Sequence, residues 1–133
     1  MRVTYPFHID PRNAQGPNEI AVQVQFRKLM RAVAPEVMLV AVPNAGKRSQ
    51  WEAMQRGREG MVAGFPDLIA LHQGRSAFME FKSGTGDLKD NQIDVLNKLV
   101  RQDFPVGVFR SADSAVAWLQ GHWPHAFTGR IAA

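Results

Sequence analysis

The 133-residue chain contains no cysteine. Disulfides, thiolate zinc sites and a cysteine nucleophile are therefore excluded, and the absence fits a reducing compartment. Long apolar runs are missing as well. The longest, Val37–Pro43, falls far short of the ~20 residues that a membrane-spanning helix needs. The opening residues MRVTYPFHIDPRN lack a cationic end followed by an apolar stretch, so no secretory signal is expected, and a cytoplasmic location is. Acidic residues are in the minority, 12 against 16 Lys+Arg, giving a net charge of +4 and a pI near 10.0. That balance permits a nucleic-acid partner without requiring one. No internal repeat or low-complexity tract is present. What remains, 45% hydrophobic and 21% charged residues, is a globular composition. The length suits one domain, with a core large enough to hold without staples.

Punctuation and periodicity divide the chain. Residues 1–17 carry several prolines and turn formers with no clear period and read as an irregular arm. Asn18 caps a helix in which Ile20, Val24, Phe26, Leu29 and Met30 recur near a 3.6-residue period, and Pro35 ends it. Val37–Val42 is short, apolar and β-branched, which predicts a buried strand. Pro43–Gly46 forms a turn, and Gln50–Arg58 a short helix. Asp67–His72 and Ser76–Ser83 flank the loop Gln73-Gly74-Arg75 as a β-hairpin. A glycine-rich turn, Ser83–Asp87, leads to a helix over 89–102 with Ile93, Leu96, Leu99 and Val100 on one face. Val106–Arg110 reads as a second buried strand, and Ala112–Gln120 as a last helix with Val116 and Leu119 inward. The order implies an α/β (α+β) domain with a mixed central sheet flanked by helices.

Chemistry concentrates in Gly64-Phe65-Pro66-Asp67 and Glu80-Phe81-Lys82. Residues two apart on a strand share a face, so Glu80 and Lys82 project together. The hairpin brings Asp67 beside Glu80. An acid and a base on an apolar strand are costly unless solvated, paired or bound to metal. Two close carboxylates suit a divalent cation, and magnesium takes oxygen ligands of this kind. A salt bridge between Glu80 and Lys82, with Asp67 capping a turn, is the alternative reading of the same residues.

Pro66-Asp67 followed by Glu80-Phe81-Lys82 resembles the PD-(D/E)XK nuclease signature. Together with Pro43–Arg48, Gly60, Gly64–Leu68, Ser83 and Gln92, the order and spacing resemble the VRR-NUC (virus-type replication-repair nuclease) family. The resemblance implies a PD-(D/E)XK restriction-endonuclease-like core, with a nuclease domain over 18–121 and a tail at 122–133. It also implies a metal-dependent endodeoxyribonuclease using Mg²⁺, with Mn²⁺ able to substitute. Asp67, Glu80 and the backbone carbonyl of Phe81 would be metal ligands, Glu19 a further acidic residue, Lys82 the catalytic lysine, and Gln92 a neighbour of the reacting groups. A homodimer acting on branched DNA such as four-way junctions follows from the same resemblance. A flap or linear-duplex nuclease is one alternative, and a non-catalytic DNA-binding module of the same fold another.

Asn44, Lys47 and Arg48 lie on a glycine turn and are candidates for holding DNA phosphates. Gly46-Lys47 does not complete a nucleotide-binding P-loop: Ala41 replaces the leading glycine and Arg48 the Ser/Thr. No nucleotide cofactor is expected. Arg56 and Arg58 extend the basic surface or form a solvated helix face. Trp51 either packs or touches a base, and the four histidines are given no role. Of the 12 acids, Glu19, Asp67 and Glu80 belong to the candidate site, leaving nine against the chain's 16 bases.

Overall fold

The computed structural model describes residues 4–43 and 60–128. Its centre is a five-stranded mixed sheet built from β1 (His8–Ile9), β2 (Met38–Ala41), β3 (Leu68–His72), β4 (Arg75–Phe81) and β5 (Val106–Phe109), in the order β1-β5-β4-β3-β2. β2 and β4 pair antiparallel to β3, whereas β5 runs parallel to β4 and to β1. Among the described residues, three helices cover the sheet: α1 (Glu19–Val33), α2 (Asp90–Arg101) and α3 (Ala112–His122). A short 3₁₀ turn, Pro124–Ala126, follows.

The alternation of β4 explains how the layers form. Ala77, Met79 and Phe81 face one side, where they pack with Val22, Phe26 and Met30 of α1 and Ala115, Val116 and Leu119 of α3. Phe78 faces the other side, with Leu96 and Leu99 of α2 and Phe7 of the N-terminal segment. Glu80 and Lys82 share the parity of Phe78, so they sit on the α2 side. The sheet is thus sandwiched between helices, as expected of a chain in which both faces of β4 and β5 are buried.

The hairpin is tighter than its sequence suggests. His72 pairs directly with Arg75, leaving a two-residue turn in which Gln73 (φ 48°) and Gly74 (φ 76°) are both left-handed. That is the turn whose twist matches the flanking strands.

Three expectations about burial change. The segment 37–42 yields β2, with Met38 and Val40 exposed; only Val37 of that stretch is buried, and among the described residues β2 is an edge strand with a neighbour on one side alone. On α1 the buried seam is Val22, Phe26 and Met30. Ile20 and Val24 form a second stripe about 200° away on the helical wheel, and Ile20 is 75% exposed. On α2 the seam is Gln92, Leu96 and Leu99, one position away from Ile93, which is half-buried. The N-terminal segment is also more ordered than its composition suggests: β1 extends the sheet, and Phe7 and Asp10 are buried. The helix expected over Gln50–Arg58 lies outside the described residues.

Candidate metal and nuclease site

The β3–β4 register sets the first two side chains. Leu68 pairs with Met79, so Asp67 falls opposite Glu80 and Pro66 opposite Phe81. Directly opposed residues share a face. Asp67 and Glu80 therefore meet by construction, and the next same-face residue along β4 is Lys82. The Phe81 N–H donates to Asp67 Oδ2 at 2.8 Å, which locks the aspartate rotamer. In an extended strand the N–H and C=O of one residue point the same way. The Phe81 carbonyl thus turns towards Pro66, which has no N–H to give it.

Glu19 arrives from the opposite helical layer. The Asn18 side chain accepts from the Ala21 N–H at 2.8 Å, fixing where α1 begins and placing Glu19 in its first turn. One carboxylate oxygen from each of Glu19, Asp67 and Glu80 lies within 4.8 Å of the others. Lys82 Nζ is 3.7 Å from Glu80 Oε2. Gln92 Nε2 donates to that same oxygen at 3.1 Å, while Gln92 Oε1 accepts from the Lys89 N–H at 2.9 Å. The glutamine is thereby held at the start of α2 with its amide aimed at the acid. All five side chains that sequence reasoning selected in the described region converge.

Gly64 explains how α2 comes so close. It has φ +83°, and a Cβ there would stand 2.7 Å from the Asn91 carbonyl carbon and oxygen and 2.9 Å from the Gln92 nitrogen. Only glycine satisfies both the left-handed backbone and this approach. The turn before Asp67 is therefore packed against the turn that carries Gln92.

Electrostatically the site is loaded. Glu80 is 1% exposed, and its carboxyl is pushed up to about 9, first by burial and then by the Asp67 charge, with Lys82 pulling the other way. A hydrogen bond shared with the Asp67 carboxyl adds to the rise. Glu19 is also raised, by burial and by Asp67, against the opposing pull of Lys82 and Lys89. Glu80 Oε1 is buried and receives no hydrogen bond from the described residues. A buried carboxylate oxygen without a donor, among two further acids and a main-chain carbonyl, is the donor set that a hard divalent cation takes. The residues fit such an ion.

Against this geometry, the comparison with known families is decisive. The model of the VRR-NUC domain matches residues 12–113. The chain belongs to the VRR-NUC family. Its domain is of nuclease type, acting on DNA and hydrolytic in character. A solved structure described as "VRR_NUC domain protein" is similar in fold, with a TM-score of 0.66 and 20% identity. That match spans 83% of this chain and 91% of the other. No curated protein matches the chain.

Among the remaining sequence candidates, Asn44, Lys47 and Arg48 lie outside the described residues, as do Trp51, Arg56 and Arg58. No helix among the described residues is long and apolar enough to cross a membrane. Lys89, the N-cap of α2, also acts on Glu19 through its charge. Sequence reasoning missed Asp10 and Arg110, both buried. Their contact spans 100 positions, and no local pattern announces it.

Proposed function

We propose that this VRR-NUC domain is a divalent-cation-dependent endodeoxyribonuclease, with Mg²⁺ as its metal and Mn²⁺ as a substitute. Asp67, Glu80 and the Phe81 carbonyl would hold the ion, with Glu19 as a further acidic neighbour. The observation that carries the reading is the convergence of three carboxylates within 4.8 Å beside a buried lysine. A DNA-binding module without chemistry has no use for such a cluster, since packing three acids together costs stability. A cation bound there supplies Lewis-acid stabilisation of the phosphate and a lowered pKa for water.

The chain's own groups do the rest. The reaction is hydrolysis: water attacks phosphorus in line with the leaving oxygen, and one P–O ester bond breaks. Lys82 presents an ammonium beside Glu80 and stabilises negative charge growing on the phosphate oxygens. Gln92 fixes the Glu80 carboxylate through one hydrogen bond and the start of α2 through the other. Burial of Asp67, Glu80 and Lys82 keeps these charges at low dielectric, where they act more strongly than in water.

For the substrate we propose branched DNA, such as a four-way junction, cut by a homodimer in which each subunit nicks one strand. Support for a second copy comes from apolar residues left exposed: Ile20 and Val24 on α1, Met38 and Val40 on edge strand β2. Labelled four-way junction, flap, duplex and single-stranded DNA, each incubated with Mg²⁺ or Mn²⁺, test both levels. Cutting of the junction in preference to duplex is expected, lost in Asp67→Ala and Lys82→Ala. Equal cutting of duplex and junction removes the branched-DNA reading. No cutting with either metal removes the enzyme.

A further inference from the structure

We propose that Arg110, clamped by Asp10 of the N-terminal segment, is a positioning residue of the nuclease site: it fixes the Ser83–Gly86 turn that joins Lys82 to Gln92. The inference rests on the nuclease reading above and goes beyond it, since neither residue belongs to the metal or catalytic set. Asp10 also precedes the segment matched by the family model, 12–113.

Arg110 follows β5 directly and is 6% exposed. Its NH1 donates to the Ser83 carbonyl at 2.6 Å and to the Gly86 carbonyl at 2.8 Å. Both ends of the turn are therefore gathered on one nitrogen. Gly86 closes the same turn by donating to Ser83 Oγ at 3.0 Å. A guanidinium buried against neutral carbonyls needs a counter-charge. The Asp10 charge favours the ionised guanidinium, and Asp10 braces the same residue by hydrogen bonds: Oδ2 accepts from the Arg110 main-chain N–H at 2.8 Å and from the Ser114 hydroxyl, and Arg110 Nε donates to the Asp10 carbonyl at 3.1 Å. His8 engages the other carboxylate oxygen at 2.6 Å.

The N-terminal segment reinforces the clamp from outside. Arg12 donates to the Thr85 carbonyl at 2.8 Å and pairs with Asp87, and the Asn13 N–H donates to the Gly84 carbonyl at 2.9 Å. A Cβ at Gly84 would collide with the Asn13 carbonyl oxygen. The turn is held by β5 on one side and by this segment on the other.

The chemical consequence lies at Glu80. Lys82 stands at one end of the turn and Gln92 just beyond the other, and both address the same oxygen, Oε2. The turn's shape decides whether they reach it together. Asp67 and Glu80, in contrast, take their backbone positions from strand pairing rather than from the turn. The clamp therefore acts first on the lysine and the glutamine, and leaves the strand register of the metal-holding acids in place. Lysine cannot replace Arg110, because a point charge does not bridge the two carbonyls and Asp10 at once.

The test uses the full chain with Arg110→Lys and Arg110→Ala, read by amide hydrogen exchange, Mn²⁺ affinity and single-turnover cleavage. In Arg110→Lys, the Gly86 and Lys89 amides should exchange at least ~10-fold faster while Met79 and Val108 stay protected. Cleavage should fall by ~10-fold or more, with Mn²⁺ affinity held within about twofold. Guanidinium added to Arg110→Ala should restore part of the rate, and methylammonium should not. Wild-type exchange and rate in Arg110→Lys would overturn the proposal. So would uniformly faster exchange across β4 and β5 with a parallel loss of Mn²⁺ affinity, which marks a purely structural role. If an Arg110 variant does not fold, Asp10→Asn must give the same selective pattern, and a wild-type profile there overturns the clamp. Wild-type protein that cuts no DNA would refute the nuclease reading, while the exchange data would still judge the clamp.

Discussion

Replacing Glu80 with glutamine should stabilise the metal-free protein, and by an amount that depends on pH. The Glu80 carboxyl rises from an ordinary 4.5 to about 9 in the folded chain. Between those values the folded state keeps a proton that the unfolded state has lost, so stability falls as pH rises through this window. Each unit is worth about 1.36 kcal/mol. Relative to a neutral isostere, wild type then loses about 3 kcal/mol at pH 7 and at most about 6 kcal/mol by pH 9, with no loss below pH 4.5. Glu80→Gln keeps the acceptor for Gln92 Nε2 and adds an amide donor that can face Asp67. For a chain of this length the pH 7 difference corresponds to a Tm rise on the order of 10 °C. Thermal unfolding of both proteins in EDTA, from pH 4.5 to 9, reads it directly. Saturating Mg²⁺ should reverse the order, because an ion that binds only the folded wild type stabilises it by mass action. A Glu80→Gln protein less stable than wild type at every pH in EDTA, or a difference that ignores pH, would refute the reasoning.

The same acid makes metal affinity pH-dependent. Binding must expel the Glu80 proton, so the apparent Mn²⁺ affinity should rise by up to about tenfold per unit between pH 5 and 9, measured calorimetrically in buffers of different ionisation enthalpy. Lys82→Met should lower the cleavage rate by ~100-fold or more while Mn²⁺ still binds; equal losses of both would show that Lys82 serves the fold instead. Gly64→Ala forces a left-handed alanine against the first turn of α2 and should cost about 1–3 kcal/mol. Denaturant unfolding and the cleavage rate should fall together, and an unperturbed variant would contradict the packing described for this turn.

Much of the site is legible in the sequence because it depends on local rules. Alternation along β4 places Glu80 and Lys82 on one face, and the hairpin brings Asp67 to the same end of the sheet; the exact register that opposes Asp67 to Glu80 comes from a Gln73-Gly74 turn one residue tighter than the sequence suggests. Capping by Asn18 predicts where Glu19 stands. The less legible features are set by tertiary position. Val37–Val42 has a buried strand's composition, yet its place at the sheet edge leaves Met38 and Val40 exposed. Ile20 and Val24 satisfy helical periodicity as well as Val22 and Phe26 do; only the sheet's location chooses between the stripes. Asp10 and Arg110 are individually unremarkable, and their meaning appears when β1 pairs with β5.

The central claim is that Asp67, Glu80 and the Phe81 carbonyl form a divalent-cation centre beside Lys82. Diffraction from crystals soaked in Mn²⁺, collected for anomalous scattering, tests it most directly. A manganese peak touching both carboxylates and the carbonyl is expected, absent from Asp67→Ala crystals treated alike. A peak elsewhere, or none between these groups in wild-type crystals, would contradict it.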